Sequence, residues 1–280
     1  MDKLATVQSL INMLLEGQPA VGSQATQFAA DYDTQRQLLR GLMNMHDAHK
    51  ELGQEFFRLQ DELLSAENAG RELKAPAELE PSQLTPAIRL FEGDLTALKV
   101  DAVVNPANKN LLGCFIAGHQ CVDNLIHSAA GLQLRFACRD LIQKLGHDLA
   151  EGGAVITQSF NLPCRYIIHT VGPKVSYQPT SREEHLLCEC YRNALKLCHN
   201  NKLTSVAFCP ISAGADGFSH VKAAELAVKT VQEDLQNHED HLTVVFALKE
   251  AAARKAYLRA LDPTPRKDDD LHPFFNPALF

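Results

Sequence analysis

The sequence predicts an α/β protein: a largely parallel sheet covered by helices on both faces, with a helical segment in front of it. Two observations carry this. From Ala87 onward, short apolar runs alternate with longer stretches of helical spacing, as a chain must do to lay parallel strands side by side. Before that point, apolar side chains recur only at helical intervals. The expected organisation is a helical extension over 1–72, a linker over 73–86, an α/β domain over 87–261 and a flexible tail over 262–280.

Each element has its own reason. Val7, Leu10, Ile11, Leu14 and Leu15 form one helical stripe, residues 36–43 a second, and Phe56, Phe57, Leu59, Leu63 and Leu64 a third that stops at Ala69-Gly70. Prolines and acids over 72–86 read as linker. Residues 88–91 form a short strand broken by Gly93-Asp94, and 100–105 a strand whose apolar part is buried. Helices follow over 122–130 and 132–145, parted by Gly131. Strands over 154–157 and 166–171 come next, the second ending at Gly172-Pro173. A helix over 183–199 leads to a strand over 205–209 and a loop of small residues over 210–217. A helix over 222–235, a strand over 242–247 and a helix over 251–261 complete the pattern.

Composition narrows the function. Hydrophobic residues are 45% and charged residues 22% of the chain, enough to bury a core. No apolar run approaches the roughly 20 residues of a membrane span. The start MDKLATVQSL lacks the pattern of a secretory signal, so a soluble, cytoplasmic protein with no membrane partner is expected. A net charge of −7 offers no basic footprint for nucleic acid. An anionic ligand must then be held by backbone amides or helix N-termini. The eight cysteines lie mostly in apolar periodic segments and are expected to be reduced. No GxxxxGK[ST] is present, which excludes a P-loop.

The most informative stretch is Cys114-Phe-Ile-Ala-Gly-His119-Gln-Cys121. Two thiols and an imidazole within eight residues can wrap one small soft cation, and this donor set suits zinc better than magnesium or calcium. Three protein ligands leave a position open for water or substrate, as in catalytic rather than structural zinc sites. The bland alternative is two buried thiols and a loop histidine. The stretch follows Asn105-Pro-Ala-Asn108, a loop leaving a buried strand, where open α/β sheets place their ligands.

At Gly93-Asp94-Leu95, Val103-Val-Asn-Pro-Ala-Asn108 and Ile211-Ser-Ala-Gly214 the chain resembles a macrodomain, a three-layer α/β/α fold with a mixed, mostly parallel sheet that binds ADP-ribose. The string from Leu111 through Cys114, His119, Cys121 and Asn124 to Gly131 resembles, more narrowly, the zinc-containing macrodomains. These are microbial protein-ADP-ribose hydrolases found beside sirtuins. Residues 161–163, 168–173 and the N-terminal block 35–44 fit the same family.

The resemblance implies zinc on Cys114, His119 and Cys121, and mono-ADP-ribosylated protein as partner, supplied by a sirtuin-like ADP-ribosyltransferase. Asp94 and the Leu95 amide would contact adenine; the bland reading of Asp94 is a turn former. Asn108 would lie beside the distal ribose, whereas Asn105 reads as structural. Val122, Asp123 and Asn124 would line the ribose and diphosphate. Asp123 would act as general base on water and Asn124 would bond substrate, and both residues also suit a helix N-terminus. The small-residue loop Ser212, Ala213, Gly214, Ala215 and Asp216 would bring backbone amides to the phosphates. The chain departs from the family pattern there: Ala213 replaces a threonine, and Asp216 stands where an aromatic residue is expected. His127 is expected on the helix surface or toward substrate, with a fourth metal ligand as the alternative, and His169 in the core. A reader of ADP-ribosylated protein and a hydrolase of small ADP-ribose esters are the rival functions.

Overall fold

The computed structural model describes residues 2–16, 28–214, 217–238, 241–262 and 264. The expected tail therefore lies almost entirely outside the described residues. Six strands form one sheet in the order β1-β6-β5-β2-β4-β3. They are β1 (Ile88–Glu92), β2 (Ala102–Pro106), β3 (Ala154–Gln158), β4 (Tyr166–Thr170), β5 (Ser205–Phe208) and β6 (Thr243–Leu248). All neighbours pair parallel except β3, which runs antiparallel to β4 along the edge.

The period-2 pleat sorts each strand into two cores. Val244, Phe246 and Leu248 face one helical layer, while Val245 and Ala247 face the other. The first layer is α6 (Ser181–Asn200), α7 (His220–Asn237) and α8 (Ala251–Ala260). The second is α4 (Val122–Ala130) and α5 (Leu132–Leu145). Two helices start earlier than their apolar periodicity suggests, because caps extend them. Glu183 accepts the Thr180 amide at 2.8 Å to close a capping box ahead of α6. Ser219 caps α7 through the Lys222 amide at 3.2 Å. Among the described residues, no helix is long and apolar enough to cross a membrane.

The extension forms α1 (Lys3–Leu15), α2 (Tyr32–Met45) and α3 (Gln54–Ala69). Leu10, Leu39, Phe56 and Leu63 build a third core that also takes in Leu132 and Phe136 of α5. Residues 73–86 are laid against the α/β domain: Lys74 bridges to Leu98 and Pro81 to Arg89.

A buried cation locks the extension in place. Arg135 of α5 is 2% exposed, and its Nη1 donates to the carbonyls of Met43, Asn44 and His46 at 3.0, 2.8 and 2.7 Å. The end of a helix leaves its last carbonyls unpaired and carries partial negative charge. The guanidinium satisfies both at the C-terminus of α2. Arg135→Met removes this donor from the Asn44 and His46 carbonyls, while the Met43 carbonyl keeps the His46 amide at 3.3 Å. We expect it to lower unfolding stability by about 2–4 kcal/mol, read from the denaturant midpoint at constant m.

Candidate active site

Parallel strands leave their carboxyl-end loops on one edge of the sheet, and ligands collect there. A cavity of about 600 Å³ opens at that edge. Asp94 and Leu95 after β1, Asn108 after β2, Val122 and Asp123 at the start of α4, and Ser212 and Ala213 after β5 all line it. The three candidate metal donors sit on its wall.

Asp94 does two things. Its Oδ1 accepts from the Thr96 amide and hydroxyl, both at 2.9 Å, and so caps the short helical turn Leu95–Ala97. The side chain stays 40% exposed at the cavity, with Arg71 Nη2 3.7 Å from Oδ2. Capping and ligand recognition are therefore compatible. Asn108 is exposed, and its Nδ2 donates to the Gly113 carbonyl at 3.2 Å, bracing the start of the candidate metal loop. Gly113 itself has φ +80°, and a Cβ there would come within 2.9 Å of the His127 ring. Only glycine lets the chain pass that imidazole in this conformation.

Cys114 Sγ lies 3.5 Å from His119 Nδ1, and the donor atoms of Cys114, His119 and Cys121 are all within 4.8 Å of one another. A tetrahedral zinc with bonds of about 2.3 Å to sulfur and about 2.0 Å to nitrogen places those two atoms about 3.5 Å apart. The trio fits zinc. Cys121 is also the N-cap of α4, where its Sγ accepts the Asn124 amide at 3.4 Å. Burial pushes its thiol up to about 11, and the neighbouring Cys114 and Asp123 charges add to that.

Asp123 is buried beneath the cavity. Its Oδ1 accepts from Asn105 Nδ2 at 2.8 Å and lies 3.5 Å from His127 Nε2. Burial pushes its carboxyl up to about 6, against the opposing Asn105 hydrogen bond and Arg135 charge. Such a carboxyl is ionised at neutral pH yet basic enough to take a proton. Asn105 continues the chain to His169 Nδ1 at 3.1 Å, and His169 Nε2 reaches Thr157 Oγ1 at 2.9 Å. His169 is thus a satisfied core histidine.

Several expectations need correction. Asn124 does not line the cavity: it is fully buried, and its amide is spent on neighbours. Its Nδ2 donates to the carbonyls of Ile116 and Cys114 at 3.0 and 3.4 Å, and its Oδ1 accepts from Arg40 and Ser128 at 2.8 and 3.2 Å. His127 is not on the helix surface but 5% exposed, because α4 turns that face toward the Asp123 network. Gly214, with φ +69°, also stands outside the cavity lining, since its amide closes a turn onto the Phe218 carbonyl at 3.0 Å. Ala215 and Asp216 lie outside the described residues. Ser212 is buried with φ +53°, and it packs against Gly172, where any Cβ would overlap its hydroxyl.

Sequence reasoning missed Arg40, Asn44 and Arg135. The signals were the family-like block 35–44, which contains Arg40 and Asn44, and, for Arg135, a charged residue on an apolar helix face. It also missed Lys174, His220 and Lys249 at the cavity, which sit just beyond strands or at a helix start. A further donor cluster, His199, Asp234 and His238, lies near the ends of α6 and α7. Its two rings stack at 3.9 Å and 15°, so their in-plane lone pairs do not converge on one ion. Among the described residues, none of the eight cysteines forms a disulfide.

A family model described as "Macro domain" matches residues 104–227. A protein named protein-ADP-ribose hydrolase from Treponema medium is 40% identical over 239 residues, covering 85% of this chain and 90% of its own. The chain belongs to the macro domain family. Among solved structures, an Oceanobacillus iheyensis macrodomain with ADP is 38% identical, with TM-score 0.57, covering 62% of this chain and 89% of its own. A Trypanosoma brucei macrodomain in complex with ADP-ribose is 26% identical, with TM-score 0.62, covering 77% and 93%.

Burial makes this site's support acid-sensitive. Burial pushes His169 down from 6.5 to about 3. The folded protein keeps it neutral in a range where an unfolded chain protonates it. Its contribution to stability is thus present above about pH 6.5 and lost as pH falls toward 3. We expect the urea midpoint of the wild type to fall more steeply between pH 6.5 and 4 than that of His169→Gln. Parallel slopes would mean that His169 is not the group responsible.

Proposed function

We propose that this macro domain protein is a zinc-dependent hydrolase that removes mono-ADP-ribose from modified proteins. One observation carries the reading: a three-donor soft-metal trio and a buried carboxylate with a raised pKa open onto the same cavity of about 600 Å³. A relative named protein-ADP-ribose hydrolase supports the hydrolase part of this reading, and macrodomain structures with ADP or ADP-ribose support its ligand.

In this reading Asp94 accepts from the adenine amino group, being acceptor-only when ionised. The Ser212-Ala213 backbone approaches the diphosphate, which explains how a chain of net charge −7 binds an anion. Asn108 and Val122 flank the distal ribose. Water bonds to C1″ as the bond from C1″ to the protein's side-chain oxygen breaks. Asp123 takes the proton from water, and the acceptor carboxyl leaves with the electron pair. Cys114, His119 and Cys121 would hold zinc, which when bound would supply Lewis acidity. Asn124 acts through the loop it holds rather than on substrate. The substrate must come from a protein ADP-ribosyltransferase, for which a sirtuin-like enzyme is the proposed source.

The test is single-turnover release from protein carrying labelled ADP-ribose on acidic side chains. Wild type is expected to release the label, and Asp123→Asn to slow release by about 10²–10⁴-fold while still binding ADP-ribose. Tight ADP-ribose binding with no release by the wild type contradicts the hydrolase and leaves a reader. Release from a small acetyl ester alone contradicts the protein substrate.

A further inference from the structure

The extension reaches into the site through one helix. Arg40 of α2 donates from Nη2 to the His119 carbonyl at 2.6 Å and to Asn124 Oδ1 at 2.8 Å, and from Nε to Ser128 Oγ at 3.2 Å. One turn later, Asn44 Oδ1 accepts the Gly118 amide at 3.0 Å, and its Nδ2 donates to the same Ser128 hydroxyl at 3.0 Å. Asn124, oriented by Arg40, holds the Cys114 and Ile116 carbonyls. Four backbone groups of the segment between the first and last metal donors are therefore tied to α2, directly or through one amide.

The segment has no helix or strand of its own to fix it. Cys121 is placed by α4, Cys114 is held at its carbonyl by Asn124, and within the loop the His119 amide donates to the Ile116 carbonyl at 3.2 Å, so the tie from His119 to the rest of the fold is its own carbonyl. That carbonyl is the atom that Arg40 holds at 2.6 Å, and the amide of the residue before His119 is the one that Asn44 holds. A planar guanidinium with several donors spans the His119 carbonyl, Asn124 and Ser128 at once, which an ammonium group cannot do.

We propose that Arg40 is a positioning residue for the metal loop, so that helix α2 of the N-terminal extension sets the affinity of Cys114, His119 and Cys121 for zinc. This rests on the zinc reading of that trio. Partners that orient metal ligands change metal affinity by about 10–100-fold when removed. The extension is then part of the metal site rather than a cover over the fold.

The test measures zinc affinity of the full-length protein by competition with a chromogenic chelator, together with its melting temperature without metal. Arg40→Met is expected to bind zinc about 10–100-fold more weakly. Arg40→Lys, which keeps charge and stem but loses the fork, should fold and show a smaller loss. Arg36→Met is the control: Arg36 sits on the same helix and pairs with Glu67 at 2.6 Å, away from the loop. It should lower the melting temperature and leave zinc affinity at the wild-type value. Unchanged zinc affinity in folded Arg40→Met or Arg40→Lys overturns the inference, as does an equal loss in Arg36→Met. A wild type that binds no zinc overturns the metal reading itself, a distinguishable failure.

Discussion

The Asn124 carboxamide is the joint on which the site depends. It donates to two carbonyls of the 114–121 loop, the candidate metal loop, and accepts from α2 and from its own helix, so one planar group joins three segments. A loop of eight residues loses its conformational freedom only if something opposes that entropy, roughly 1–2 kcal/mol per residue of backbone. Buried hydrogen bonds can do so because each broken one leaves a desolvated polar group. Arg135 completes the arrangement from below: it ties the end of α2 to α5 and lies 4.5 Å under the Phe115 ring of the loop. The extension, the 114–121 loop and the α/β domain are thereby tied together.

The second constraint is dielectric. Asp123 and His127 are buried side by side, and burial moves their proton affinities in opposite directions: the carboxyl up and the imidazole down. Both shifts favour the uncharged forms. Asn105 partly reverses this for Asp123 by donating to it, and holds the carboxylate at a fixed angle below the cavity. A carboxylate kept in this manner is more basic than one in water and is already oriented. The scaffold behind it, Asn105 to His169 to Thr157, crosses β2, β4 and β3, which anchors the carboxylate to the sheet.

Much of the fold was legible because strands and helices write their periods into the chain. The helices over Val122–Ala130 and Leu132–Leu145 were readable to the residue, since Gly131 parts two apolar stripes. Helix starts at Ser181 and His220 were not, because side-chain caps rather than hydrophobic periodicity set them. At the site, Cys114, His119 and Cys121 were legible as close neighbours in sequence, and Asp94 and Asn108 as residues just after strands. Asn124 was misread, since residue type alone does not say which face of α4 a carboxamide occupies. Arg40 lies 84 positions from Asn124, a long-range contact that no local spacing encodes.

The central claim is that the three-donor loop holds a metal facing the same cavity that takes the nucleotide. Crystals grown with zinc and ADP-ribose, measured with anomalous scattering on both sides of the zinc edge, test it most directly. The account predicts one zinc peak bonded to Cys114, His119 and Cys121, with water or the distal ribose completing its coordination and adenine beside Asp94. No zinc peak at the trio, or a zinc closed by a fourth protein ligand and turned away from the nucleotide, would contradict it.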